Sequence, residues 1–397
     1  AGRSLAGPRF DNGILCDAVT SVFATIKSYV DEGSSFVFNA YSIPKNWNDN
    51  TVLLRTFAFG VLPTVIFFAS LMAVLYHIGV MQVLIRAMAW AMQKTLGTSG
   101  PESMAAAANV LVGHTEAPLV IRPYVEGMTR SELNALMVGG FATISGSLMA
   151  VFVANGISAG HLLTASLISA PAALVIAKIL QPETETTQSG KEAMAVEHED
   201  RPTNVIEAAA VGASDGLKLA LNITAMLIAF LALLAMVTAL LMGIGELLQL
   251  LVNQLYADPI DIQWSLNGLF AWLFYPLAWV MGIAADDCGV AGELLGKKVV
   301  VNEFIAYNDL SNIISGKIVD ADGVTVTLSE RSRVILTYAL CGFSNFGAIG
   351  IQIGGIGPLA PSRRSDLAQL GLRAMFGGML AACMTACMAG IMYGVLR

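Results

Sequence analysis

The chain has few charged residues for its size. Only 13% of its 397 residues are Asp, Glu, Lys or Arg, whereas soluble domains have about a quarter. So few charges could not cover the surface of a soluble globule this large, and the mean hydropathy is +0.67. A soluble enzyme and a disordered chain are therefore both disfavoured. The net charge of −7 arises from few charges of both signs, so we expect no nucleic-acid partner.

Signals for metals, disulfides and phosphate loops are also scarce. The five cysteines do not form a disulfide framework, and Cys383 and Cys387 lie four residues apart in an apolar segment, where cysteine is usually a small hydrophobic residue. The absence of CxxC, HExxH and GxxxxGK[ST] excludes the commonest zinc sites and the P-loop. The chain begins at Ala1 with no signal-peptide pattern, so we expect a processed or truncated N-terminus.

Long apolar runs dominate what remains. Each is about long enough to cross ~30 Å of hydrocarbon as a helix that rises ~1.5 Å per residue. The six predicted spans are residues 56–80, 133–155, 162–180, 217–244, 334–359 and 367–396. Three further segments have helical apolar spacing or the Trp and Tyr content of membrane interfaces. These predicted interfacial helices are residues 14–30, 81–96 and 265–282.

An acidic linker separates two halves with the same order of segments. In each half the sequence predicts, in order, a span, an interfacial helix, a segment with a polar centre, a span interrupted by glycine, and an uninterrupted span. Since each half crosses the membrane three times, the second half enters from the opposite face, as in the inverted repeats of secondary transporters. The predicted units are an N-terminal segment (1–55), a first repeat (56–181), the linker (182–204) and a second repeat (205–397).

The two segments with polar centres predict re-entrant hairpins. A continuous span would place ionisable groups near mid-bilayer at a cost of several kcal/mol, whereas a hairpin with arms of about 11 residues reaches only halfway. An ordinary helix whose Glu pairs with a buried Arg is the alternative. In residues 102–126 the centre holds Asn109, His114, Thr115 and Glu116, and in residues 286–308 it holds Asn302 and Glu303. Such tips would bind a polar solute.

Residues 139–147 and 342–347 mix glycine with hydroxyl and amide side chains inside spans. This composition predicts two broken transmembrane helices, whose free carbonyls and helix ends suit Na+ and substrate dipoles. The predicted fold is thus an all-α polytopic membrane protein with an inverted repeat, two re-entrant hairpins and two broken helices. An intramembrane enzyme using Glu116, His114 and Glu303 as acid and base is disfavoured, because no activated nucleophile or metal set is visible. A channel remains a third possibility.

Three stretches together resemble the concentrative nucleoside transporters: residues 109–119 with Arg122-Pro123, residues 296–304, and residues 341–345. The resemblance extends from about residue 14 to the C-terminus. It implies an elevator-type homotrimer in the lipid bilayer of the bacterial inner (cytoplasmic) membrane. It implies Na+-coupled uptake of nucleosides, pyrimidine and also purine, with proton coupling as the alternative. The family's bacterial members carry two further spans ahead of the first interfacial helix.

The resemblance also assigns residues. It places the base against His114, Thr115, Glu116 and Leu148, with Leu219 facing it from the scaffold. It places the ribose against Glu303, Asn345 and the segment with Phe343 and Ala348, and Asn302 joins this substrate site. It implies that Na+ is bound by the side chains of Asn109 and Thr143 and by the backbone carbonyls of Val112 and Ile144. The chain departs from the family at three positions. It has His114 where the family usually has Gln, Ala348 where it usually has Ser, and Ala285 where many members have Trp.

Overall fold

The computed structural model describes residues 21–22, 25–26, 28–30, 62–114, 116–185, 202–255, 266–319 and 323–395. These residues form helices joined by short connections, with one isolated β-bridge between Val319 and Thr325 and no named strand among them. Most of the predicted interfacial helix 14–30 lies outside the described residues. So do the first six residues of the predicted span 56–80 and most of the acidic linker.

The helices repeat in order across the two halves. The first half contains α1 (Leu62–His77), α2 (Val80–Leu96), α3 (Gly100–Leu111), α4 (Ala117–Val120), α5 (Arg122–Val125), α6 (Arg130–Ala142), α7 (Gly146–Ala154) and α8 (Ala159–Leu180). The second contains α9 (Val205–Leu255), α10 (Leu266–Val280), α11 (Cys288–Val300), α12 (Glu303–Ile314), α13 (Glu330–Ala339), α14 (Phe346–Ile356) and α15 (Arg364–Val395). Short 3-10 turns precede α11 (Ala285–Asp287) and α15 (Pro361–Arg363). The all-α class and the order of elements are as predicted.

Six spans are predicted, two of them interrupted. Among the described residues, three stretches are long and apolar enough to cross a membrane: Arg130–Ala154, which is α6 and α7 with the break between them, Ala159–Leu180 and Pro361–Val395. A fourth is counted if α1 and α2, which meet at 77°, form one bent span. The predicted span 334–359 is divided between α13 and α14, both too short to cross alone. The predicted span 217–244 lies inside the 51-residue α9, whose length of roughly 76 Å exceeds the bilayer.

Both hairpins have the predicted places in the chain. The first consists of α3 and a returning arm, and α3 begins with a capping box in which the Ser99 side chain accepts from the Glu102 N–H. The returning arm is two short helices, α4 and α5, rather than one, and it divides at Ile121. Pro123 explains the division, because it has no N–H to continue the helix from α4. The second hairpin is α11 and α12 joined by Val301 and Asn302.

The two broken helices separate α6 from α7 and α13 from α14. The first break covers residues 143–145, where Thr143 and Ser145 have extended backbone, and the second covers residues 340–345. Gly139 and Gly140, at the start of the predicted interrupted stretch 139–147, lie within α6, so the break is confined to the later part of that stretch. A Cβ on Gly140 would lie 2.9 Å from the His114 Cβ, so this glycine instead lets the first hairpin approach α6 closely.

The remaining helices support these elements in matching ways. The helices α2 and α10, which are predicted to be interfacial, pack against the first arms of the two hairpins, and α8 and α15 pack against α6 and each other. The long α9 packs along α1 through two glycines four residues apart, Gly212 and Gly216. A Cβ on Gly212 would lie 2.6 Å from the Ala73 Cβ, so the two backbones are in direct contact.

The two broken helices cross at their breaks. Gly342 has φ +112°, and a Cβ built on it would lie 2.6 Å from the carbonyl oxygen of Phe141. Ser344, two residues later, donates from its Oγ to the same carbonyl at 2.8 Å. The non-helical backbone of one repeat is thus covered by the other, as backbone at membrane depth requires.

We therefore expect Gly342→Ala to destabilise the fold by about 1–3 kcal/mol, because alanine is strained at this φ and has no space. Thermal unfolding of the detergent-purified protein measures this. The control is Gly350→Ala, since Gly350 is helical and exposed with nothing within 4 Å of a new Cβ. That change should be neutral or gain roughly 0.5–1 kcal/mol. Equal stability of the two variants would contradict a tight crossing.

Candidate functional site

A cavity opens where the two hairpin tips meet the two broken helices. Its walls come from all four elements, so both repeats contribute. The lining residues are Gly113, His114, Glu116, Ser145, Ser147, Leu148, Asn302, Glu303, Phe304, Phe343, Asn345, Ala348 and Ile351. A mixed wall of this kind, largely apolar with a few convergent polar groups, is typical of small-molecule sites.

A hydrogen-bonded acid and amide form the second repeat's side of the cavity. Glu303 is 4% exposed, and its Oε2 accepts from the Asn345 Nδ2 at 3.1 Å. The Asn345 Oδ1 in turn accepts from the N–H of Ala348 at 2.8 Å. This second bond fixes which way the amide points, so its donor faces the carboxylate. Glu303 then has its other oxygen, and the remaining lone pairs of the first, for a ligand.

Three helix starts contribute to the cavity wall. Ser145 caps α7, Asn302 caps α12 and Asn345 caps α14, in each case by accepting a backbone N–H three residues on. Because helix N-termini carry partial positive charge, these three starts favour the lone pairs of a polar solute and the Glu303 carboxylate, which opens α12. The capping residues thus satisfy the broken backbone and shape the cavity at once.

The first hairpin supplies an imidazole and a second acid. His114 is 9% exposed, its ring lies 4.3 Å from that of Phe343, and neither ring nitrogen has a hydrogen-bond partner. Glu116, two residues on, is exposed, and its backbone N–H donates to the Gly113 carbonyl at 3.0 Å. Unpaired buried ring nitrogens are costly, so His114 is a group that a ligand in the cavity would satisfy.

A second cluster of oxygens lies behind this tip. Asn109 is 1% exposed, yet neither its Oδ1 nor its Nδ2 has a partner. Gly139 lies against it, since a Cβ there would be 3.2 Å from the Asn109 Nδ2, and the Thr143 Oγ donates to the Gly139 carbonyl at 2.9 Å. Val112 and Thr143 both end helices in extended conformation. Amide, hydroxyl and free carbonyl oxygens are the ligands that a hard cation such as Na+ takes.

Within the described part of the chain, no group of three or more His, Cys, Asp or Glu side chains could hold a transition metal. The four predicted ligands lie on elements that touch each other. Helix α3 packs against α6, and the end of α3 meets the start of α7, since a Cβ built on Gly146 would lie 3.2 Å from the Leu111 carbonyl oxygen. Their roles as ligands remain a prediction.

Eight of the ten predicted substrate residues line the cavity. They are His114, Glu116, Leu148, Asn302, Glu303, Phe343, Asn345 and Ala348. Thr115 lies outside the described residues, and of Leu219 only the backbone in α9 is described. Sequence reasoning did not assign Gly113, Ser145, Ser147, Phe304 or Ile351. A signal existed for Ser145, because it sits in the predicted break just where α7 needs an N-cap.

A family model described as "Na+ dependent nucleoside transporter C-terminus" matches residues 161–390, and a second model, described as "Nucleoside recognition", matches residues 58–159. The chain belongs to the family of concentrative, Na+-dependent nucleoside transporters. Members of this family are transporters, which confirms that the chain is not an enzyme. The resemblance noted from three sequence stretches is confirmed as well.

Relatives of this family are similar over nearly the whole chain. An uncharacterized transporter of Haemophilus influenzae is 43% identical over 94% of this chain and 83% of its own length. Sodium/nucleoside cotransporter 1 of Rattus norvegicus is 42% identical over 90% of this chain, and solute carrier family 28 member 3 of Eptatretus stoutii is 44% identical over 91%. The chain spans only about half the length of these two animal relatives, 53% and 50%.

Solved structures of CNTnw have the same fold. Its inward-facing substrate-bound state is 41% identical with a TM-score of 0.84, covering 96% of this chain and 86% of that one. A CNTnw variant in an outward-facing state matches with the same identity, TM-score and coverage. One fold that is solved in both states is consistent with an elevator-type transporter.

Replacing Glu303 by Gln tests the acid in this cavity. A carboxylate can accept two charge-assisted hydrogen bonds from a ligand, and losing one costs ~1.5–3 kcal/mol, or roughly 10- to 150-fold in nucleoside affinity. Equilibrium binding of radiolabelled uridine measures the loss, and Glu116→Gln should also weaken binding. The control is Glu293→Gln on the same hairpin, whose carboxylate pairs with Lys297 at 2.6 Å outside the cavity. Near-native binding by both cavity variants would refute the assignment.

Proposed function

We propose that the protein takes up nucleosides across the bacterial inner membrane by Na+ symport, with a moving unit that carries the cavity. Two arrangements together carry the proposal. Glu303 and Asn345 form a buried hydrogen bond in the cavity wall, and the buried Asn109 amide behind the opposite hairpin tip has no partner. The first arrangement suits a solute rich in hydroxyl groups, and the second suits an oxygen-bound cation.

The cavity has a chemically distinct place for each half of a nucleoside. Ribose hydroxyls are donors and acceptors, so they can donate to the Glu303 carboxylate while accepting from the Asn345 side. The base, which is flat and partly apolar, would lie against Leu148 and the rings of His114 and Phe343. His114, Thr115 and Glu116 would meet the polar edge of the base, and Leu219 would close it from the scaffold. Ala348 leaves the ribose without a hydroxyl partner at that position.

Ion coupling follows from where the cation would sit. The side chains of Asn109 and Thr143 with the carbonyls of Val112 and Ile144 would bind Na+ between the first hairpin and the first break. Binding there ties down the hairpin tip that carries His114 and Glu116, so Na+ would raise nucleoside affinity. By linkage, nucleoside would raise Na+ affinity by the same factor.

The remaining elements suit alternating access. The long contact between α1 and α9 would form a fixed scaffold, and the hairpins with the broken helices would move as a unit against it. A homotrimer joined through the scaffold helices would anchor three such moving units. Pyrimidine nucleosides, and purines as well, are the proposed substrates.

Uptake of radiolabelled uridine and adenosine into proteoliposomes tests this function. An inward Na+ gradient should drive accumulation above the external concentration, and a proton gradient in potassium buffer should not. Equal accumulation under the proton gradient would favour a proton-coupled transporter. Flux that never exceeds equilibrium under either gradient would indicate a channel.

Thr143→Ala should raise the Na+ concentration needed for half-maximal uptake. The change removes one neutral oxygen ligand worth ~0.5–1.5 kcal/mol, or roughly 2- to 12-fold in that concentration. A Na+ titration at constant ionic strength gives the value. Thr164→Ala is the matched control, because the Thr164 Oγ makes the same bond to a carbonyl four residues earlier at 2.8 Å, but in α8. An identical Na+ dependence in Thr143→Ala would remove Thr143 from the ligand set.

His114→Gln should improve recognition of uridine and cytidine relative to adenosine. A Gln amide offers a donor and an acceptor on one side, whereas neutral His carries them on opposite sides of a rigid ring. One gained hydrogen bond is worth ~0.5–1.5 kcal/mol, so the preference should shift by roughly 2- to 12-fold. Competition of labelled uridine by a panel of nucleosides measures the order. An unchanged order would deny His114 a role in selectivity.

A further inference from the structure

A buried lysine holds the second hairpin against the second break. Lys298 lies on α11 and is 0% exposed. Its Nζ donates to the carbonyl of Ala339 at 2.9 Å and to that of Cys341 at 3.2 Å. These carbonyls belong to the last residue of α13 and to the break that follows, so they have no helical N–H to accept from. The ammonium therefore replaces the missing donors of the broken backbone.

Lys298 stands at the position in the second repeat that Asn109 holds in the first. Asn109 lies three residues before Val112, which ends the first arm of the first hairpin. Lys298 lies three residues before Val301, which ends the first arm of the second hairpin. Each faces the break of its own repeat. Asn109 adjoins Gly139, whose carbonyl accepts from Thr143, and Lys298 contacts Ala339 and Cys341.

The two positions differ in charge and in hydrogen bonding. Asn109 is neutral, and both polar atoms of its amide lack partners. Lys298 brings its own charge, and two of its three N–H groups are accounted for by the break carbonyls. A buried lysine is tolerated in a membrane only with such partners.

We propose that Lys298 is a built-in cation that occupies, in the second repeat, the place that the coupling Na+ takes in the first. The second hairpin is thereby held closed on its break without an ion, and only the first hairpin depends on Na+. The inference rests on the proposed Na+ site at Asn109, and it assigns Lys298 as a positioning residue rather than a substrate ligand.

Exchanging the two residues between the repeats tests this. Lys298→Asn gives the second repeat the neutral side chain of the first, with its break carbonyls free to bind an ion. We expect the Hill slope of the Na+ dependence of uridine binding to rise from about one toward two, with weaker binding at low Na+ by roughly tenfold or more. Lys298→Arg keeps the charge and should keep a slope of one. A slope of one and unaltered binding in Lys298→Asn would overturn the proposal.

The reverse exchange covers the case in which Lys298→Asn does not fold. Asn109→Lys supplies the first repeat with a tethered ammonium, so uridine binding should persist in choline buffer that contains no Na+. Folding is verified by size-exclusion chromatography and thermal unfolding before binding is measured. A folded Asn109→Lys protein that still needs Na+, or binds no uridine, overturns the proposal. Sodium-independent binding by the unaltered protein would instead refute the proposed Na+ coupling, so the two failures are distinct.

Discussion

The crossing of the two broken helices is the contact on which the site depends. A break in a membrane helix frees N–H and C=O groups that lipid cannot satisfy, so each break must be buried against protein. Here the two breaks cover each other: Gly342 leaves room for the Phe141 carbonyl, and Ser344 donates to it. Because each hairpin tip rests on the break of its own repeat, four stretches of non-helical backbone meet around one cavity. The polar groups that such backbone needs are then the groups available to a solute.

The unpaired backbone groups differ at the two ends of a break, and so do the side chains that bind them. Where a helix starts, Ser145, Asn302 and Asn345 accept N–H groups, and all three also line the cavity. Where a helix stops, free carbonyls need a hydrogen-bond donor or a cation. Lys298 provides it in the second repeat, and no described side chain provides it beside Asn109. Under the proposal, the first repeat is the half whose carbonyls are left to an external cation.

Much of this arrangement could be predicted from the sequence, for identifiable reasons. Polar residues in the middle of apolar runs have few tolerable placements in a membrane, so Glu116 and Glu303 indicated hairpins before any coordinates. Glycines were less informative. Gly139 and Gly140 suggested a break but are helical, because glycine serves close packing as well as chain reversal, and only tertiary structure separates the two uses. The divided second arm of the first hairpin was likewise missed, although Pro123 carried the signal.

The role of Lys298 could not be predicted, because nothing local distinguishes it from Lys297. The two lysines are adjacent in the sequence, in the last turn of the same helix. A helical turn of about 100° per residue sends them apart: Lys297 reaches Asp309 and Glu293, while Lys298 enters the core. Only the fold brings Ala339 and Cys341, some forty residues away, to its ammonium. An inverted repeat keeps backbone geometry alike in both halves, so under the proposal a single change of side chain at matching positions makes one half respond to an ion and the other not.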